Sequence, residues 1–296
     1  MKRCSFLRLV SLAMLASASS APFADAQSAA STVAQPNSVA SQGRLPQHDR
    51  LLPLQGGQNS RDLGGYATKD GRHVRWGKLF RSGSMYSFTA GDFAYLRKAG
   101  VQTVIDFRSS QERALEPSRW PDGTAPRTLS EDYEQSFGAM MGERKGEPAS
   151  ASRGAADFVK AYPGVLVRMN TQYRRMFDEL LAGNAPLMFH CSGGRDRTGV
   201  AAALILTALD VPRETVIQDY LLSDVYYDFD RAGPAKQLWA HVTTQSREMT
   251  KANARKSIEA VFKVIDGHPG GSRGYLRDEL GLDDLKIARL RSLYTE

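Results

Sequence analysis

Pro186-Leu187-Met188-Phe189-His190 is a short apolar run leading straight into Cys191-Ser192-Gly193-Gly194-Arg195-Asp196-Arg197-Thr198, and Gly199 to Leu209 beyond it is apolar nearly all round. No other feature limits the fold as much. The first run predicts a buried strand, the last a central buried helix, and the polar glycine-rich stretch a tight loop between them. Strand, loop and helix N-terminus in that order predict an α/β domain and locate its anion site. Loop N–H groups and the positive end of the helix converge where a tetrahedral oxyanion fits.

Each residue type then has a place. The glycines allow the unusual dihedrals of such a loop, and Ser192, Gly193, Gly194, Arg195 and Asp196 can present N–H groups to the anion. Cys191 lies beneath it, and the helix end, the amides and both arginines favour its thiolate. Arg197, six residues on, is placed to return over the loop and bind two oxygens with a planar fork that lysine lacks. Thr198 can donate its hydroxyl to the sulfur. His190 reads either as a residue orienting the loop through backbone contacts or as a satisfied half-buried histidine. The pattern fits nucleophilic catalysis on a phosphate monoester, in which the thiolate takes the phosphoryl group and water then releases it.

The rest of the chain extends the α/β pattern. Thr89 caps a helix running to Ala99, and Gly100 to Arg108 reads as a buried strand ending in charge. A helix is expected from about Phe158 to Leu181, broken near Tyr162-Pro163-Gly164, and another after Pro212. Further helices are expected at about 233–242, 251–265, 272–280 and 283–294. The predicted fold is a mainly parallel sheet of four or five strands flanked by helices. Residues 134–157, rich in Gly, Ser, Ala, Glu and Met, read as either a disordered insertion or a mobile cover over the site.

The first residues carry Lys2 and Arg3, an apolar core from Leu7 to Ala18, and Ala24-Asp25-Ala26. They read as a secretory signal ending at residue 26, followed by a flexible Ser/Ala/Gln-rich tether over 27–50 and one domain over 51–296. Export to the periplasm or medium is expected, without stable membrane insertion, because the apolar core is too short to span. Losing Lys2, Arg3 and Arg8 against Asp25 takes the formal charge from +7 to +5. That excess is spread along the chain, which suits an anionic substrate and lacks the basic run of a nucleic-acid arm. The chain has two cysteines, and export would leave Cys191 alone, with no internal disulfide to form. The histidines are scattered, so no metal or other cofactor is expected.

The segment from His190 to Gly199 resembles the Cys-x5-Arg-Thr/Ser-Gly signature of protein tyrosine phosphatases. Asn59-Ser60-Arg61-Asp62-Leu63-Gly64-Gly65-Tyr66, Leu79-Phe80-Arg81-Ser82-Gly83, Thr103 to Arg108, Asp219 to Ser223 and Tyr275 to Asp278 are similar to the bacterial tyrosine/serine phosphatase family with the Asn-x-Arg-Asp-Leu-Gly-Gly motif. The likeness runs from about Leu51 to Tyr294. It implies hydrolysis of phosphotyrosine, extending to phosphoserine, phosphothreonine and phosphoinositides, through a phosphocysteine intermediate. Members commonly carry lysine, linked to phosphoinositide headgroups, where this chain has Arg195. The resemblance offers Asp196 as general acid and Asp106 as a second active-site carboxylate, with a salt bridge to Arg108 or to a loop arginine as the alternative for Asp106. Trp120-Pro121-Asp122 copies the mobile acid loop of larger tyrosine phosphatases. Arg61 and Asp62 read as an ion pair supporting the loop. A competing enzyme reading places inositol polyphosphates in the same loop. Sulfur transfer is disfavoured by the Arg-Thr-Gly ending, and a binding module without turnover by the intact Cys191, Arg197 and Thr198.

Overall fold

The apolar run before Cys191 forms a strand, and it is the middle one. The computed structural model describes residues 49–121, 123–134, 155–239 and 244–296. Five strands, β1 (Arg61–Asp62), β2 (Leu79–Ser82), β3 (Thr103–Asp106), β4 (Arg127–Ser130) and β5 (Leu187–His190), form one sheet in the order β1-β2-β5-β3-β4. Only β1 is antiparallel to its neighbour. Met188 of β5 is level with Phe80 of β2 and Val104 of β3.

Both faces of this sheet are covered, which explains why β2, β3 and β5 read as continuous runs rather than alternating ones. Period-2 alternation still decides which core each side chain joins. Leu79, Ile105, Leu187 and Phe189 enter the larger core, while Phe80, Val104 and Met188 enter a smaller one with Phe93 and Leu96. The smaller core is closed by α1 (Ala90–Lys98), whose start is a capping box between Thr89 and Asp92. The larger core packs α3 (Ala155–Ala161), α4 (Gly164–Ala182), α5 (Asp196–Ala208), α6 (Arg213–Leu221), α9 (Ala254–Gly267), α10 (Gly271–Leu280) and α11 (Asp284–Tyr294). Between them the chain adds α2 (Ser110–Leu115), α7 (Ser223–Tyr226) and α8 (Thr244–Ala252).

Helix α5 is buried at every position from Arg197 to Ile205, as its all-round apolar sequence requires. Cutting Leu204 back to alanine there would cost about 2–5 kcal/mol. The expected break near Pro163 is real: α3 ends at Ala161 and α4 begins at Gly164. The strand expected over 100–108 is shorter than its sequence suggests. Gly100, at φ +76°, ends α1, and only Thr103–Asp106 pairs. Residues 48–296 form one compact unit. The signal and tether readings, Asp122 and all of the 134–157 cover between 135 and 154 lie outside the described residues.

Candidate active site

Between the end of β5 and the start of α5, the chain turns tightly enough to need glycine at one point. Gly194 has φ +64°, and a Cβ on it would lie 2.5 Å from the Ser82 carbonyl oxygen. The turn is held from behind, carbonyl by carbonyl. Ser84 N–H donates to the Ser192 oxygen at 2.8 Å, Asn59 Nδ2 to the Gly193 oxygen at 3.0 Å, and Arg81 Nη2 to the Gly194 oxygen at 2.7 Å. In a planar trans peptide the next N–H points opposite the carbonyl. Turning three oxygens back therefore aims the N–H groups of Gly193, Gly194 and Arg195 away from β2. This is the work of the Asn-x-Arg-Asp and Phe-Arg-Ser segments.

Arg197 leaves the first turn of α5 and is buried. Its Nη1 and Nη2 donate to the two oxygens of Glu112 at 2.6 and 2.7 Å, and Nη1 also reaches Tyr133 Oη at 2.8 Å and the Phe107 carbonyl at 3.1 Å. Its Nε is buried with no hydrogen-bond partner. The end of the fork is thus pinned while the Nε edge stays available for an oxyanion. Burial opposes its charge, but Glu112 and Tyr133 hold Arg197 firmly protonated. Burial likewise opposes the Glu112 carboxylate, but the Arg197 charge and the hydrogen bonds from Arg197, Ser192 and Ser109 together hold the group down at about 2. Glu112 also takes the Ser192 hydroxyl at 2.7 Å and the Ser109 N–H at 2.7 Å. The sequence reading missed Glu112. Its only trace there is Ser109-x-x-Glu112, a capping box that also starts α2.

Cys191 is a free, buried thiol. The fields of Tyr133, Tyr173 and Tyr227 include it. The hydroxyl of Thr198 is fully buried with no hydrogen-bond partner, a donor suited to a sulfur or oxyanion. His190 is buried too, its Nδ1 3.4 Å from the Cys191 carbonyl oxygen and its Nε2 3.6 Å from Asp106. Burial pushes it down to about 4, so it is neutral at pH 7.

Two sequence expectations change here. Asp106 lies at the end of β3 and takes Arg108 Nε at 2.9 Å, Arg108 Nη2 at 2.7 Å and the Arg108 N–H at 3.0 Å. Burial works against the charge, yet His190, Arg108 and these bonds hold Asp106 at about 2. With His190 itself neutral, Arg108 is the effective partner, and Asp106 has no proton to give at neutral pH. It is an anchor for Arg108, which continues to the Glu116 carbonyl at 2.6 Å. Arg61 and Asp62 likewise do not serve as a mutual pair. Successive strand residues face opposite sides, so Arg61 goes to Asp219 at 3.0 Å while Asp62 accepts the N–H groups of Gly64 and Gly77, both at 2.7 Å.

Arg195, standing where relatives carry lysine, is also paired. Its Nε lies 3.1 Å from Asp224 Oδ1 and its Nη2 donates to the Thr250 carbonyl at 3.3 Å, with Tyr220 stacked 5.8 Å away. Buried and matched by a carboxylate, it is not a free second cation at the mouth. Asp196 is half-buried and receives the Tyr162 hydroxyl at 2.8 Å. Tyr162 spends its one hydrogen there, which makes Tyr220 the donor in the Tyr220–Tyr162 bond. Tyr220 in turn lies against Gly199, where a Cβ would come within 2.7 Å of its ring. Of the carboxylates considered, Asp196 alone stands in the loop; a phenol is its hydrogen-bond donor, and Arg195 Nη1 lies 4.0 Å away.

Over Gly193 lies the ring of Tyr227, 3.4 Å from where a Cβ would be. With Tyr86, Glu116 and Arg231 it lines a cleft that also reaches Ser192. The arrangement can bind an oxyanion against a thiol, with an aromatic-walled opening beside it.

Residues 52–296 match the model of the tyrosine phosphatase family. A protein of Cupriavidus necator named as a tyrosine-protein phosphatase is 33% identical over 244 residues, covering 80% of this chain and 85% of that protein. The triple specificity protein phosphatase PtpB of Mycobacterium tuberculosis is 29% identical over 279 residues, covering 81% of this chain and 97% of that protein. A tyrosine-protein phosphatase of Nostoc commune is 25% identical over 219 residues, covering 71% of this chain and 72% of that protein.

Proposed function

The chain belongs to the tyrosine phosphatase family and is a hydrolase, and from that premise we propose that it cleaves phosphotyrosine monoesters through a phosphocysteine on Cys191. The Cys191 thiolate attacks phosphorus, the bond from phosphorus to the phenolic oxygen breaks, and Asp196 gives that oxygen a proton. Water then attacks the phosphocysteine and passes a proton to Asp196, while the Thr198 hydroxyl donates to the departing sulfur. Arg197 and the loop N–H groups bind the equatorial oxygens throughout.

One observation carries this reading: Arg197 is held end-on by Glu112 while its Nε is buried without a partner. A buried Nε–H is a donor that calls for an acceptor, and at this loop a phosphoryl oxygen supplies it. The test is turnover of phosphotyrosine peptides by wild type and Cys191→Ser, with acid-quench trapping of a phosphorylated cysteine. Substantial turnover by Cys191→Ser would overturn the covalent route.

The substrate range follows from the cleft. Tyr227 and Tyr86 suit an aryl group, so aryl phosphates are the main class, with phosphoserine and phosphoinositides as minor substrates. The triple specificity in the name of the Mycobacterium relative supports a range wider than phosphotyrosine. Export rests on the composition of the first 26 residues, and N-terminal sequencing of protein recovered outside the cytoplasm tests it.

A further inference from the structure

The back of the loop is held by a cluster whose charges do not cancel. Arg61 and Arg81 share one carboxylate, Asp219: Arg61 Nε reaches Oδ1 at 3.0 Å and Arg81 Nη1 reaches Oδ2 at 2.5 Å. The Tyr66 hydroxyl adds a bond to Oδ1 at 3.1 Å, and the Ser223 hydroxyl receives both arginines. All three ionised side chains are buried. Two guanidiniums against one carboxylate leave a buried excess of positive charge, and burying a charge in excess is costly. Burial and the neighbouring Arg61 charge push Arg81 down to about 10.

The place of that charge gives it a use. Arg81 Nη2 donates to the Gly194 oxygen at 2.7 Å and lies 3.5 Å from where a Cβ of Gly199 would stand. It therefore sits between the loop and the first turn of α5, behind the N–H groups that face the anion. The helix end is positive at the same point. Arg81 touches none of the reacting atoms, and it differs from Arg197, whose charge is matched by Glu112.

We propose that Arg81 is a positioning residue for the phosphatase reaction: it keeps the Gly194 carbonyl turned back so that the Arg195 N–H faces the phosphoryl group, and its unmatched charge favours the anions held in the loop. The proposal rests on the phosphatase reading above. The charged and titratable groups facing Arg81 are Arg61, Asp219 and Tyr66. Those facing Cys191 include Arg197, Tyr133, Tyr173 and Tyr227.

The test uses the full chain as wild type, Arg81→Gln and Arg81→Lys. Three quantities are measured: turnover of para-nitrophenyl phosphate, inhibition by vanadate, and the pH dependence of Cys191 alkylation by iodoacetamide. Misplacing a loop group by about 1 Å through a change away from the chemistry can lower kcat about 10²-fold, and Arg81→Gln is expected to show that loss. In the same variant vanadate should bind about tenfold more weakly and alkylation should shift to higher pH by about one unit. Arg81→Lys should restore the alkylation profile, because the charge returns, while kcat stays low, because the fork is gone. If Arg81→Gln fails to fold, Arg81→Lys decides alone through the same split. Unchanged kcat, vanadate affinity and alkylation in a folded variant would overturn the proposal. A wild type without turnover would instead overturn the phosphatase reading, and the alkylation shift would still judge Arg81.

Discussion

Arg195 and Arg197 stand two residues apart in one loop, both buried, and the fold uses them in opposite ways. Arg197 is gripped at one end by Glu112 and keeps its Nε edge without a partner. Arg195 meets Asp224, the Thr250 carbonyl and the face of Tyr220. The difference comes from direction along the helix. Arg197 is inside the first turn of α5 and faces α2 across the end of β5. Arg195 is the residue before that helix and faces α6, α7 and α8. The same side chain thus has its end pinned beside the loop in one place and bridges helices in the other.

The largest expected effect breaks the clamp. Arg197→Lys should lower kcat/KM by about 10²–10³-fold, since lysine offers neither the fork for Glu112 nor a second edge for the substrate. Steady-state kinetics on phosphotyrosine peptides would check it, and a loss below tenfold would mean that Arg197 binds no transition-state charge.

Glu112→Gln should act more mildly, by about 10- to 100-fold, because Gln keeps a carbonyl for Arg197 and loses the charge. The wild-type pair also sets an acid limit. Glu112 is held at about 2 against an ordinary 4.5, so its stabilising contribution is complete above about 4.5 and fades as pH falls from there toward 2. Acid unfolding followed by circular dichroism should therefore begin at higher pH in Glu112→Gln, and identical acid transitions would count against the pair.

Arg195→Ala sharpens the contrast from the other side. It should cost less than tenfold in kcat/KM and lower Tm by several degrees, because Asp224 is left half-buried without its partner. The loss should be uniform across phosphotyrosine, phosphoserine and phosphoinositide substrates. Selective loss of the phosphoinositide would show that Arg195 lets go of Asp224 to bind polyanions.

The smallest effect is expected from Tyr162→Phe, a few-fold fall in kcat with KM unchanged and a displaced pH–rate profile. It removes the one hydroxyl that orients Asp196. An unmoved profile would take the proton-transfer role away from Asp196, whereas Asp106→Asn should leave the profile in place and lower stability.

Much of this contrast lies beyond the reach of the chain's linear order. Arg195 and Arg197 read alike in sequence, because nothing in the loop says which carboxylate each will meet. Glu112 is 85 positions from Arg197, and its visible pattern, a capping box, occurs at helices with no active site. Arg81 and Asp219 were visible only as parts of matching segments, and their bond spans 138 positions. Asp106 shows the reverse case. Its pairing with Arg108 is local, two residues apart, and was one of two readings already open in sequence.

By itself the sequence determined the α/β class and the central strand entering a glycine-rich turn, and it offered Cys191 and Arg197 as candidate nucleophile and clamp. These depend on local periodicity, on the dihedral freedom of glycine and on the fixed reach from a cysteine to an arginine six residues later. Tertiary structure alone decided which carboxylate each buried arginine meets and where unmatched charge collects. Those outcomes depend on distances of a few ångströms between groups far apart in the chain, because buried charges settle only on partners that the packing brings within hydrogen-bond reach.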